Sequence, residues 1–238
     1  MLMMTCFCPD TYITSTYSTH NLFNTTLILI LFTLFFLSND ALADHTQSLL
    51  PRADLDKIKH QYSADVSQRF NAWDRLLINS QNKTTLEKLL LVNQFFNKMQ
   101  WVEDRKLWKK RDYWATPIET LIQNAGDCED FSIAKYFTLR ALNVPTQRLK
   151  ITYVNMLNYD QPHMVLAYYK TPESDPLILD NVNKKISPYS QRKDLQIKFS
   201  FNGEGLWLAN SASHQPIDDS SKILLWADLI KRMKNESI

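Results

Sequence analysis

Glycine is nearly missing from this chain of 238 residues: Gly126, Gly203 and Gly205 are all there is. Neither a GxGxxG dinucleotide turn nor a GxxxxGK[ST] phosphate loop can be written with them. Cysteine is as scarce, also at three, too few for the Cys-dense scaffold of a small disulfide protein. No charge sign dominates: 27 basic and 25 acidic residues leave a formal +2, which supplies no basic surface for nucleic acid. Repeats and low-complexity tracts are missing too. With 45% hydrophobic and 22% charged residues, the balance is that of an ordinary globular protein, with room for one large domain or two small ones.

The N-terminal segment reads differently from the rest. Residues 25–37, TTLILILFTLFFL, form an uncharged apolar run. It is short for a membrane span, which takes about 20 residues, and it fits the h-region of a secretory signal. Ala41-Leu42-Ala43 follows as a small-x-small cleavage pattern, and the composition turns polar at once. Residues 1–43 are therefore expected to be a signal peptide cleaved before Asp44, leaving 44–238 as one exported domain. The stretch before the apolar run has no Lys or Arg and contains Asp10, which would accord with a start codon placed too early or an uncleaved anchor. Cleavage removes Cys6 and Cys8 and leaves Cys128 without a disulfide partner. A sole thiol is either buried and inert or free and reactive.

After residue 52 the periodicity is first helical, then strand-like. Residues 53–81 carry Ile58, Tyr62, Val66, Phe70, Trp73 and Leu77 near a 3.6 period. A second helix opens at Thr85, and residues 101–116 read as irregular. Thr116, Pro117 and Glu119 have the cap, first-turn and capping-box positions of a short helix. A third substantial helix starts at Cys128, with Phe131, Ala134, Phe137 or Tyr136, and Ala141 on one face, and Pro145 stops it. LKITYVNML, HMVLAYYK and PLILDNV then alternate as short strands, and Asn202-Gly203 marks a hairpin. A last helix, capped at Asp218-Asp219-Ser220, reads as packed on the body, with a membrane-surface helix as the weaker reading. Helices followed by a block of strands predict an α+β fold. Trp101, Trp108, Trp114 and Trp207 are expected mostly in the core, with one or two free to line a partner groove.

Three places carry chemistry. Cys128 opens a helix, where the N-terminal dipole favours a thiolate, and Gly126 before it leaves room for a close approach. His163 stands at the mouth of one strand and Asp180 at the end of the next. If those strands are neighbours, both residues face the helix that bears Cys128: nucleophile, base and orienter. Each alone has a plain structural reading, as core thiol, satisfied histidine and turn former. In that order, on helix, strand and strand, they are far more specific. Asp127, Glu129 and Asp130 crowd the thiol and should raise its pKa. The helix terminus, a charged His163, or a hard cation such as Ca2+ would offset them; acids at a helix start also complement its dipole. No Cys/His cluster has zinc-ligand spacing.

DYWATPIETLIQNAGDCEDFSIAKYFTLRALNVP, with HMVLAYY and LILDNV, resembles the bacterial transglutaminase-like cysteine peptidases, specifically the LapG-type periplasmic proteases. The resemblance runs from about Phe70 to Leu208, and the GDCEDF block is its most specific part. It implies a papain/transglutaminase-like fold, with the catalytic Cys at a helix N-terminus packed on an antiparallel sheet that carries His and Asp. It makes Cys128 the nucleophile, His163 the general base and acid, and Asp180 the orienter. It further implies Ca2+ held by Asp127 and Glu129, with Asp130 as a third ligand. It also implies a periplasmic location and a protein substrate, the N-terminal region of a large surface adhesin cut beside paired alanines, whose release promotes biofilm dispersal. An inner-membrane cyclic di-GMP receptor would be the inhibitory partner. Two other readings stay open: a transglutaminase-type acyltransferase using the same thioester, and a non-catalytic calcium-dependent binding module with an inert Cys128.

Overall fold

Ser63 interrupts the long helix expected over 53–81. Its side chain accepts the Val66 N–H and opens α1, Ala64–Ser80. The structure, a computed structural model, describes residue 57, residues 60–209 and residues 215–236; the predicted signal segment and its cleavage point lie outside them. Val66, Phe70, Trp73 and Leu77 form the buried stripe of α1. A reciprocal Thr84–Glu87 capping box starts α2, Thr85–Phe96, which buries Leu89, Val92 and Phe96.

The stretch read as irregular holds two ordered pieces. β1, Gln100–Trp101, pairs in parallel with β2, Ala125–Gly126, and Asp104–Leu107 make one helical turn, α3. Between them lies α4, Pro117–Gln123, with the expected Thr116–Glu119 capping box and Pro in its first turn. It ends at Asn124 in the left-handed region, φ 52, which turns the chain into β2.

α5, Cys128–Ala141, is the centre of the fold. The sequence suggests one apolar face, yet every residue from Asp130 to Leu139 is buried. A helix enclosed on all sides needs partners all round: α2 and α4, two strands of the sheet and β2 pack against it. It ends at Ala141, before Pro145, because Asn143 turns left-handed at φ 61.

The sheet has six strands in the order β6-β5-β4-β3-β7-β8: β3 Leu149–Met156, β4 Gln161–Tyr168, β5 Leu177–Leu179, β6 Ser187–Pro188, β7 Leu195–Asn202 and β8 Gly205–Leu208. All neighbours are antiparallel. Leu149, Ile151, Met164, Leu166 and Phe201 join the helices in the main core. Val154, Val165, Ala167, Ile178 and Leu195 form a smaller cluster, as alternation on a pleated strand requires. The β7–β8 hairpin turns through Gly203 and Glu204 without a positive φ; Asn202 Oδ1 accepts the Glu204 N–H at 2.7 Å instead.

A 3-10 turn, Ser220–Lys222, leads into α6, Leu224–Asn235. Trp226 and Leu229 are buried, and Trp226 stacks on Phe137 of α5 at 5.8 Å, so α6 docks on the body. Among the described residues no helix is long and apolar enough to cross a membrane. Helices first and an antiparallel sheet second make the α+β architecture that was expected.

Candidate active site

β5 is shorter than β4, and their pairing covers only Leu166 to Tyr168. The edge of β4 before Leu166 is left for α5. Ser132 Oγ, in the second turn of α5, donates to the Met164 carbonyl at 3.1 Å, and the Met164 N–H faces the Cys128 thiol. The start of the helix thus satisfies backbone groups that a longer β5 would have paired. It also sets Sγ beside the residue that follows His163 in the chain.

Adjacent antiparallel strands bring His163 and Asp180 together. His163 Nε2 and Asp180 Oδ1 are 2.9 Å apart, and both residues are buried. With Nε2 engaged by the carboxylate, Nδ1 is the ring nitrogen left for the thiol. Both carboxylate oxygens and the carbonyl of Asp180 are engaged. Oδ1 also accepts the Val182 N–H at 2.9 Å, Oδ2 accepts from Arg192 at 2.8 Å, and its carbonyl accepts from Asn97 Nδ2 at 2.7 Å. Burial works against its charge, but the His163 hydrogen bond and charge, the Val182 amide and Arg192 outweigh it and hold the carboxyl down to about 2.

On the other side of Cys128, one oxygen from each of Asp104, Asp127 and Glu129 lies within 4.8 Å of the others. The pairing of β1 with β2 puts Gln100 opposite Ala125 and Trp101 opposite Gly126, so the residues after β1 run beside those after β2. Asp104 Oδ1 and Asp127 Oδ1 are buried with no hydrogen-bond partner among the described residues. Burial, then the charge of Glu129, pushes the Asp127 carboxyl up to about 9; burial raises Glu129 and Asp104 as well. Cys128 Sγ donates to Glu129 Oε2 at 3.0 Å. Burial first, then Glu129 and Asp127, drive the thiol well above its ordinary range, opposed by the Met164 N–H. The helix terminus alone does not make this cysteine a thiolate. Clustered, desolvated carboxylates with orphaned oxygens are the environment a hard, oxygen-preferring cation suits.

Cys128 opens α5 with Asp127 and Glu129 on either side of it in the chain, His163 lies in β4, and Asp180 follows β5. Asp130, grouped with the cation ligands, is turned to another task. Its Oδ1 accepts the Ala115 N–H at 2.7 Å and its Oδ2 the Asp127 N–H at 3.2 Å. Gly126 makes room for that carboxylate, since a Cβ there would come within 2.7 Å of Asp130 Cβ and Oδ2; the room it leaves is filled by the protein itself. Asp104 and Arg192 were missed. Asp104 stands in the segment read as irregular, and no local spacing links it to Asp127; only the β1–β2 pairing does. Trp114 and Trp207 are buried, while Trp101 is 60% exposed beside Gly126.

Residues 61–211 match the family model described as bacterial transglutaminase-like cysteine proteinase. Among solved structures, Legionella pneumophila LapG is 42% identical, over 77% of this chain and 98% of its own, with a TM-score of 0.69. Its EGTA-treated form gives 42% and a TM-score of 0.70 over the same shares. Its calcium-bound form gives 41% over 77% and 99%, with 0.69. Comparison with curated proteins found no match. The family match spans α1 to α5, the Cys128 loop and the six-stranded sheet, and the matches bear out the papain/transglutaminase type of α+β fold. The chain belongs to the bacterial transglutaminase-like cysteine proteinase family, of the LapG type.

Proposed function

We propose that this protein is an exported, calcium-dependent cysteine endopeptidase working through Cys128, His163 and Asp180. The observation that carries the reading is a carboxylate-held imidazole at His163, whose chain neighbour Met164 turns its N–H to a thiol that also meets a cluster of three acids. His163 takes the thiol proton, and Sγ attacks the scissile carbonyl. The C–N bond then breaks to leave a thioester, and the same proton passes to the leaving amine. Water, deprotonated by His163, cleaves the thioester and restores the thiol. Asp180 keeps the imidazole in register and balances the imidazolium.

Asp104, Asp127 and Glu129 would hold the calcium through their carboxylate oxygens, and the ion would supply positive charge beside the thiol. Glu129 is otherwise the acceptor that competes with His163 for the thiol proton. The relative solved both calcium-bound and after EGTA treatment supports this assignment. Membership of the family and the GDCEDF block support the rest of the reading: a periplasmic enzyme that cuts the N-terminal region of a large surface adhesin, promotes biofilm dispersal, and is restrained by an inner-membrane cyclic di-GMP receptor. The apolar run at 25–37 and Ala41-Leu42-Ala43 support export.

The test is incubation with the N-terminal region of a large surface adhesin, in calcium or in EGTA, read by intact mass. Two fragments that together weigh the substrate plus one water, formed in calcium only, are expected. A product joined to an added amine would indicate acyl transfer. An intact substrate with an unreactive Cys128 would indicate a binding module.

A further inference from the structure

One oxygen of Asp180 serves His163; the other belongs to Arg192, which lies between the 3-10 turn Tyr189–Gln191 and β7. Arg192 Nη2 donates to Asp180 Oδ2 at 2.8 Å and to Asp194 Oδ2 at 2.7 Å, while Nε donates to Asp194 Oδ1 at 2.9 Å. The residue is 4% exposed, and Nη1 is buried with no partner among the described residues. Burying a guanidinium is costly, and leaving one of its donors unpaired costs more. Packing alone would favour an apolar side chain here. What the arginine adds is a guanidinium fixed by its two-point grip on Asp194, from which Nη2 reaches one oxygen of Asp180 and holds it in place. The segment is fastened too, since the Leu157 N–H, at the β3–β4 turn, donates to the Asp194 carbonyl at 2.8 Å.

We infer that Arg192, tied down by Asp194, is a positioning residue that clamps Asp180 so that the His163 ring keeps Nδ1 toward the thiol. The inference rests on the reading of Cys128, His163 and Asp180 as the catalytic set. Without the clamp, the Asp180 carboxylate keeps only the Val182 N–H and His163 on its oxygens and can rotate. Lys135 of α5, the other basic group facing Asp180 among the described residues, makes no ion pair with it, so it cannot replace that hydrogen bond.

The experiment follows the low-field imidazole N–H resonance of His163 in histidine-labelled protein, assigned with His163→Gln, alongside kcat and KM for peptide cleavage. Arg192→Met should broaden or shift that resonance and lower kcat roughly 10- to 100-fold, the range for partners that orient a catalytic ligand, with KM unchanged. Arg192→Lys should recover part of both. Should Arg192→Met not fold, Asp194→Ala, which frees the far end of the guanidinium, should give the same changes in smaller measure. A folded Arg192→Met with the wild-type resonance and kcat overturns the inference. So does Asp194→Ala with both unaltered, where only that variant folds. The resonance is read without substrate, so a wild-type protein that cleaves nothing defeats the peptidase reading and leaves the clamp to be judged by the spectrum.

Discussion

Cys128 meets two opposed fields. The Met164 N–H and the helix terminus favour its thiolate, while burial, Glu129 and Asp127 oppose it and prevail. On the proposed mechanism, neutralising the acids is what favours the thiolate. Cys128→Ser should lower the cleavage rate by several orders of magnitude with an unchanged melting temperature; a folded variant that cleaves at the wild-type rate would remove Cys128 from the mechanism. His163→Ala should be nearly as damaging and Asp180→Asn less so, because Asp180 moves no proton. The neighbouring acids separate by role. Asp130→Ala strips the buried Ala115 N–H and the part-buried Asp127 N–H of their acceptor, at about 1–3 kcal/mol for the buried one, and urea unfolding should show the loss. Asp104→Asn keeps an acceptor for the Tyr113 N–H and relieves repulsion within the cluster. It should raise the melting temperature in EGTA and weaken calcium binding by calorimetry. A destabilised Asp104→Asn with normal affinity would contradict that division.

At the scale of elements, α5 shows how far sequence reasoning reaches. Its start and its strand partners were readable, because a Cys at a helix start and residues at strand ends are local signals. Its full enclosure was not, since Ser132, Lys135 and Thr138 look like a polar face until the sheet, α2 and α4 close over them. Asp104 and Arg192 escaped notice for a related reason: each reaches the site by a contact between distant segments that leaves no spacing to read. Lys135 offers a test of the enclosure. Burial holds its ammonium down to about 7, whereas in the unfolded chain it titrates near 10.4. Between those values the unfolded state binds more protons, so folding stability should rise with pH. Lys135→Met lacks that rise. Urea unfolding at pH 7 and pH 9 should show a larger gain for the wild type than for the variant; equal gains would mean that Lys135 is charged where it lies.

For the molecule as a whole, the order of helices and then strands gave the α+β class directly, and the core assembled as the periodicity implied. The site is a joint product of three regions. α5 gives the thiol, β4 and β5 give the imidazole and its carboxylate, and the β1–β2 pairing carries Asp104 to Asp127 and Glu129. Such a cluster, built from a single helical turn and the start of α5, suits the irregular shell of six to eight oxygens around Ca2+ better than the tight octahedron of Mg2+. EGTA should abolish cleavage, calcium should restore it, and magnesium should restore it poorly. Equal rescue by the two ions would contradict the assignment. The central claim is that a cation among these acids turns Cys128 into a nucleophile. The most direct measurement is the pH dependence of Cys128 alkylation by iodoacetamide, located by peptide mass, in calcium and in EGTA. The account predicts fast alkylation at neutral pH in calcium, with the profile displaced to markedly higher pH in EGTA. Profiles that coincide in the two conditions would contradict it.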